Sequence, residues 1–167
     1  SPGPSSDESI IVVGVKPEGS RIQFFTGTIT GNEFKEDSLL GGAVINGEPK
    51  DGYVVARAKA GQVIGLTQVV IHNGGFSGRA FNACGGTRAP AFEVPGGQLI
   101  YLADIEYAPV GQRLSVTYAS QLQAAAEHLH SNYPNLKGDL RQLVWEPLPT
   151  ASPCVGTYTV IPIYIGR

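Results

Sequence analysis

Apolar residues in this chain recur mainly at every second position, in short runs that end at Gly, Pro or Asn. A period of two with that punctuation predicts strands. Within residues 21–30, Ile22, Phe24, Thr26 and Thr28 share one side of a pleat while Arg21, Gln23 and Phe25 share the other, the pattern of a strand with one face in a core and one in water. Ile10-Ile11-Val12-Val13 and Val69-Val70-Ile71 are continuous apolar runs of strand length. The pattern predicts strands over 9–16, 21–30, 52–59, 62–71, 97–107, 112–119, 140–146 and 156–165. Pro162 has no N–H to give to a ladder, which places the last of these at an edge or beside a bulge.

One segment breaks the period. From Ser120 to Tyr133, Leu122, Ala126, Leu129 and Tyr133 return at helical spacing, predicting a single helix over 120–133. Ser120 and Gln123 have capping-box spacing, and Pro134 stops the helix after Tyr133. Its apolar stripe needs a surface, so the helix is expected against the side or end of the β-structure. The resulting expectation is a mainly β protein: one β-sandwich domain over residues 9–167 with one helix, preceded by a small, polar, proline-containing tether at residues 1–8. That tether reads either as a processing scar or as a stalk left after removal of a signal peptide.

Composition narrows the partners. A chain of 167 residues with 42% hydrophobic content is long enough for one self-sufficient core. A net charge of −2 and a charged fraction of 16% supply no basic field for a phosphate backbone, so nucleic acid is not an expected partner. No apolar run approaches the roughly 18 residues of a spanning helix.

Cys84 and Cys154 lie outside any C-x-x-C arrangement, which removes the usual zinc and dithiol spacings and leaves a structural disulfide as the leading reading. The alternative is two buried free thiols in a reducing compartment.

Candidate chemistry is sparse. His128 and His130, two apart on a helix, point about 200° away from each other and cannot grip one ion. Glu127 and His130 have the spacing of a di-iron Glu-x-x-His pair, but that site needs a second such pair on a neighbouring helix. His72 precedes the turn signal Asn73-Gly74-Gly75. Gly75-Phe-Ser77-Gly78-Arg79 lacks the final glycine of a nucleophile elbow. The glycines of Cys84-Gly-Gly-Thr-Arg88 read as a loop beside the disulfide, with an anion-binding nest as the rarer option. Asp104 and Glu106 alternate on one side of a strand and offer a carboxylate pair for acid–base hydrolysis, with two solvated acids at a strand's exposed end as the commoner arrangement. Trp145, Tyr101, Tyr107, Tyr118, Tyr158 and Tyr164 fall in predicted strands, as core or rim. No catalytic set, no cofactor motif and no metal-ligand set is therefore expected.

The stretch Gly52-Tyr-Val-Val-Ala-Arg-Ala-Lys-Ala-Gly61-Gln-Val-Ile-Gly-Leu66, followed by Phe92-Glu-Val-Pro-Gly-Gly-Gln-Leu-Ile-Tyr101-Leu-Ala-Asp104, resembles uncharacterised bacterial lipoproteins with a carboxypeptidase-regulatory-like, or transthyretin-like, β-sandwich. The resemblance spans roughly residues 8–135. It implies an immunoglobulin- or transthyretin-like sandwich, a hairpin at the Ala60-Gly61 turn, and a periplasmic or cell-surface location with an N-terminal lipid anchor as the only membrane attachment. The function expected on these grounds is a non-catalytic binding or scaffold domain of the cell envelope. Its partner would be an envelope component or another protein, reached through an exposed sheet face or the loops around 73–88. The competing expectation is a secreted glycan or peptide hydrolase built on Asp104, Glu106 or His72. A third is a subunit that gains a strand at the Pro162 edge.

Overall fold

Ser9 through Val15 are all buried, although successive side chains of a strand point to opposite faces, so this strand must be covered on both sides. The computed structural model shows how. It describes residues 3–37, 42–72 and 78–154, with the backbone alone of 159–164. In chain order the elements are β1 (Glu8–Lys16), β2 (Ser20–Thr30), β3 (Glu33–Glu36), β4 (Ile45–Gly47), β5 (Tyr53–Lys59), β6 (Val63–His72), β7 (Gly78–Asn82), β8 (Arg88–Glu93), β9 (Leu99–Val110), β10 (Arg113–Ala119), α1 (Leu122–Asn132), β11 (Leu140–Gln142), β12 (Pro147–Pro149) and β13 (Thr159–Tyr164).

These strands form two sheets. The first runs β13-β10-β9-β1-β5 with β11 beside β9, and the second runs β12-β8-β6-β2-β3 with β4 beside β2 and β7 beside β6. Between them lies the main core, where Ile11, Val13, Ile100, Leu102 and Leu114 meet Ile22, Phe24, Ile64, Val69 and Phe81. The other side of β1 is apolar as well: Ile10 and Val12, with Leu99 and Tyr101 of β9, pack under Ala125 and Leu129 of α1 and Leu140 of β11. The helix therefore lies over the outer face of the first sheet rather than at an end of the sandwich, because that face offers the apolar surface its stripe requires.

Several local expectations change. The Ala60-Gly61 turn, with Gly61 at φ +85°, is a corner: β5 pairs with β1 in one sheet while β6 pairs with β2 in the other, so the expected hairpin is absent. Ser120 does not cap the helix. Its hydroxyl donates to Gln142 Oε1 at 3.0 Å, and the cap position falls on Gln121 without a side-chain bond. Of the strand expected over 140–146, only Leu140–Gln142 pairs, parallel to Leu99–Tyr101. The strands β3, β4, β7, β8 and β12 are three to six residues long, too short to show a period, and prolines interrupt β8 and β12. β13 lies at an edge, parallel to β10, with Pro162 opposite Val116. Tyr158, the side chain of Tyr164 and the Asn73-Gly74-Gly75 turn lie outside the described residues.

The disulfide is present. Cys84 and Cys154 are bonded with their Cα atoms 5.0 Å apart. It ties the segment after β12 to the loop before β8, where the Gly85 and Gly86 N–H groups donate to the carbonyls of Ser152 and Thr150 at 2.7 and 2.8 Å. Those amides are committed to the chain itself, so the loop is no anion nest. A disulfide of this kind belongs to an oxidising compartment outside the cytoplasm. Among the described residues no helix is long and apolar enough to cross a membrane.

Candidate binding cleft

The outer face of the first sheet is organised by a bulge in β9. Val12 pairs with Tyr101 and Gly14 with Asp104, so three steps along β9 answer two along β1. Leu102 and Ala103 consequently both enter the inter-sheet core, and Asp104 is turned outward beside Tyr101. The bulge also interrupts the ladder on the other side of β9, between the end of β11 and the end of β10. Gln142 fills that gap: its amide donates to the carbonyls of Tyr101, Leu102 and Leu143 at 3.1, 3.0 and 2.9 Å. Trp145 Nε1 adds a bond to the Leu102 carbonyl at 2.8 Å, and its ring meets Tyr118 edge-on with centroids 5.2 Å apart.

Tyr101 links this bulge to the helix. Its buried hydroxyl donates to Asp104 Oδ1 at 2.5 Å and accepts the Gln121 N–H at 3.0 Å, just ahead of α1. The hydroxyl thereby satisfies the backbone N–H of the cap residue itself, while no side chain caps the first turn. Burial, reinforced by the bond to the Asp104 carboxylate, pushes the Tyr101 phenol well above its ordinary range. Asp104 lies against Gly14, where a Cβ would come within 2.3 Å of Oδ1, so glycine is needed for the carboxylate to lie down on the strand.

Tyr53 stands next along this face. Its ring stacks on His128 of α1 with centroids 4.4 Å apart, and its phenol is also raised, first by burial and then by the Asp104 charge. On its other flank Tyr53 lines a cleft of about 640 Å³, counting the part open to solvent, between β4, β5 and the C-terminal end of α1. The walls are Val44–Glu48 and Lys50 on one side, Val54, Val55 and Ala56 on the other, and Tyr133 above. Val44 and Tyr133 are 40% and 41% exposed, which leaves apolar surface on both walls.

The acid–base candidates are not brought together. Asp104 is engaged by Tyr101, Glu106 is exposed opposite Lys16, and His72 lies in the second sheet, 3.6 Å from Glu48. Glu48 is shared with Arg21 at 3.4 Å. None of Asp104, Glu106 and His72 lines the cleft. His128 and His130 diverge as expected, His130 Nε2 lying 3.3 Å from the Gly138 carbonyl. Among the described residues no cluster of His, Cys, Asp or Glu could hold a metal ion. Tyr53, Val44 and Tyr133 were not legible as a site: Tyr133 belongs to the helical stripe by spacing, and only the end of α1 at Asn132 leaves it outside the packing.

No family model, curated protein or solved structure matches the chain.

Proposed function

We propose that this chain is a non-catalytic binding or scaffold domain of an exported, envelope-associated protein. It works in the periplasm or at the cell surface, held by a lipid anchor ahead of its N-terminal segment, and meets its partner at the cleft between β4, β5 and α1. The observation that carries this reading is the cleft itself, a concave site of mixed lining in which Asn46, Glu48 and Lys50 stand beside the partly exposed Val44 and Tyr133. The disulfide supports the exported setting, and the dispersal of Asp104, Glu106 and His72 over two sheets supports binding rather than turnover. The test is a turnover screen over glycan and peptide substrates with the wild-type chain and its Asp104→Asn, Glu106→Gln and His72→Ala variants. No turnover is expected; hydrolysis abolished by any one substitution overturns the reading in favour of a hydrolase.

A further inference from the structure

The free edge of β5 opens into the cleft, and its hydrogen-bonding pattern says what kind of ligand fits there. Antiparallel partners alternate between pairs that exchange backbone bonds and pairs that do not. Val15 N–H donates to the Gly52 carbonyl at 2.9 Å, so Val13–Val54 and Ile11–Ala56 are the bonded pairs with β1, and Gly14–Tyr53, Val12–Val55 and Ile10–Arg57 are not. The backbone groups of Tyr53, Val55 and Arg57 therefore face away from β1. Those of Tyr53 are used by Lys50, at 2.9 and 3.1 Å. Among the described residues no backbone bond takes up the two N–H and two C=O groups of Val55 and Arg57, which are spaced along the edge as a strand presents them to a new neighbour.

We propose that β5 takes up an extended acidic peptide segment of a partner protein as an added strand, with its alternate apolar side chains on the side of β4 and Val44. This rests on the cleft reading above and names its ligand. The charge along the edge selects the occupant. Residues 53–59 carry Arg57 and Lys59 and no acid, and Lys50 stands exposed at the cleft wall. Glu48, the one acid in the lining, is already shared by Arg21 and His72. Arg57 pairs with Glu8 yet keeps 51% of its side chain exposed. A second copy of β5 would set like charges along the same edge, whereas a strand bearing glutamate or aspartate on one face meets opposite charge. The faces differ too: Arg57 and Lys59 lie on the outer face with Tyr53 and Val55, while Val54 and Ala56 turn toward the inter-sheet core, so acidic positions in the ligand on the outer face must alternate with apolar ones on the core side.

The probe is a synthetic nonapeptide alternating valine and glutamate, titrated into the full oxidised chain and followed by amide resonances, with a valine–lysine peptide as comparison. Binding of the glutamate peptide is expected to shift and protect the Val55 and Arg57 amides and to be tighter than that of the lysine peptide. Val55→Pro removes one outward N–H without touching the bonds to β1, an edge position where proline is tolerated; it is expected to weaken binding roughly tenfold. Arg57→Glu is a second variant that leaves the backbone alone, and it is expected to reverse the preference between the two peptides. The proposal is overturned if neither peptide binds, if the shifts centre elsewhere, if binding ignores both variants, or if sedimentation shows a dimer that Val55→Pro dissolves. Any of these leaves the non-catalytic reading intact, since only the turnover screen decides that.

Discussion

Phe34 is 1% exposed although it sits in the four-residue strand β3, and two glycines explain where its ring goes. A Cβ on Gly65 would lie 2.6, 2.8 and 3.0 Å from Cε2, Cζ and Cδ2 of Phe34, and a Cβ on Gly27 would lie 2.6 Å from Cε1 and Cζ. The ring lies flat on the backbone of β2 and β6, walled by Ala91, Leu148 and Val63. Gly65 has no positive φ, so Gly65→Ala is a test of space and not of backbone conformation. Overpacking of this kind costs about 1–3 kcal/mol, offset by about 0.4–1 kcal/mol from the stiffer unfolded chain, for a net loss of roughly 1–2 kcal/mol. Phe34→Ala alone is expected to cost about 3–5 kcal/mol. In the double variant the methyl of residue 65 enters the space the ring vacates, so the combined loss falls short of the sum by about 1–3 kcal/mol. Urea unfolding followed by circular dichroism, with an unchanged slope, reads all three differences. A Gly65→Ala protein as stable as wild type, or losses that add to within about 0.5 kcal/mol, would refute the seat.

Two further outcomes follow from the same structure. Replacing Cys84 and Cys154 by Ser frees a loop of separation 70 and, in the chain-entropy model, lowers stability by about 4 kcal/mol, or Tm by roughly 10 °C for a domain of this size; an unchanged Tm would show that the bond constrains nothing the fold does not already hold. Burial raises the phenols of Tyr107, Tyr101 and Tyr53 above their usual value of 10.0, so the unfolded chain ionises first as pH rises. Stability from these groups is full below about pH 10 and is lost as pH climbs past it toward the folded values. An ultraviolet titration should show some of the seven tyrosines ionising only as the circular-dichroism signal collapses; smooth ionisation of all seven with the fold intact would contradict the burial.

Much of the architecture was readable because it rests on local periods. The alternation expected in residues 21–30 is realised in the first half of β2, where Ser20, Ile22 and Phe24 are buried between half-buried neighbours, and fades beyond Phe24, where Thr26 is half-buried and Thr28 exposed; the apolar spacing in 120–133 became α1. Cysteine spacing was enough to favour the disulfide. The elements that escaped are those whose period is too short to register, such as Ile45–Gly47, or is broken by proline, as in Arg88–Glu93.

What the amino-acid order determined by itself was most of the long strands, the one helix and much of the face each must bury, since those follow from side-chain period and backbone sterics over a few residues. Tertiary structure alone decided the rest. The apolar run of β1 is buried twice because α1 closes one side of it. Asp104 faces outward because a bulge opposite Val13 shifts the alternation of β9. Tyr101 receives the Gln121 N–H ahead of the helix, and Ser120 turns to Gln142 instead of capping it. Val55 and Arg57 offer their backbone to the cleft because β5 ends its sheet, a matter of which strands meet across long stretches of chain, on which no local pattern bears.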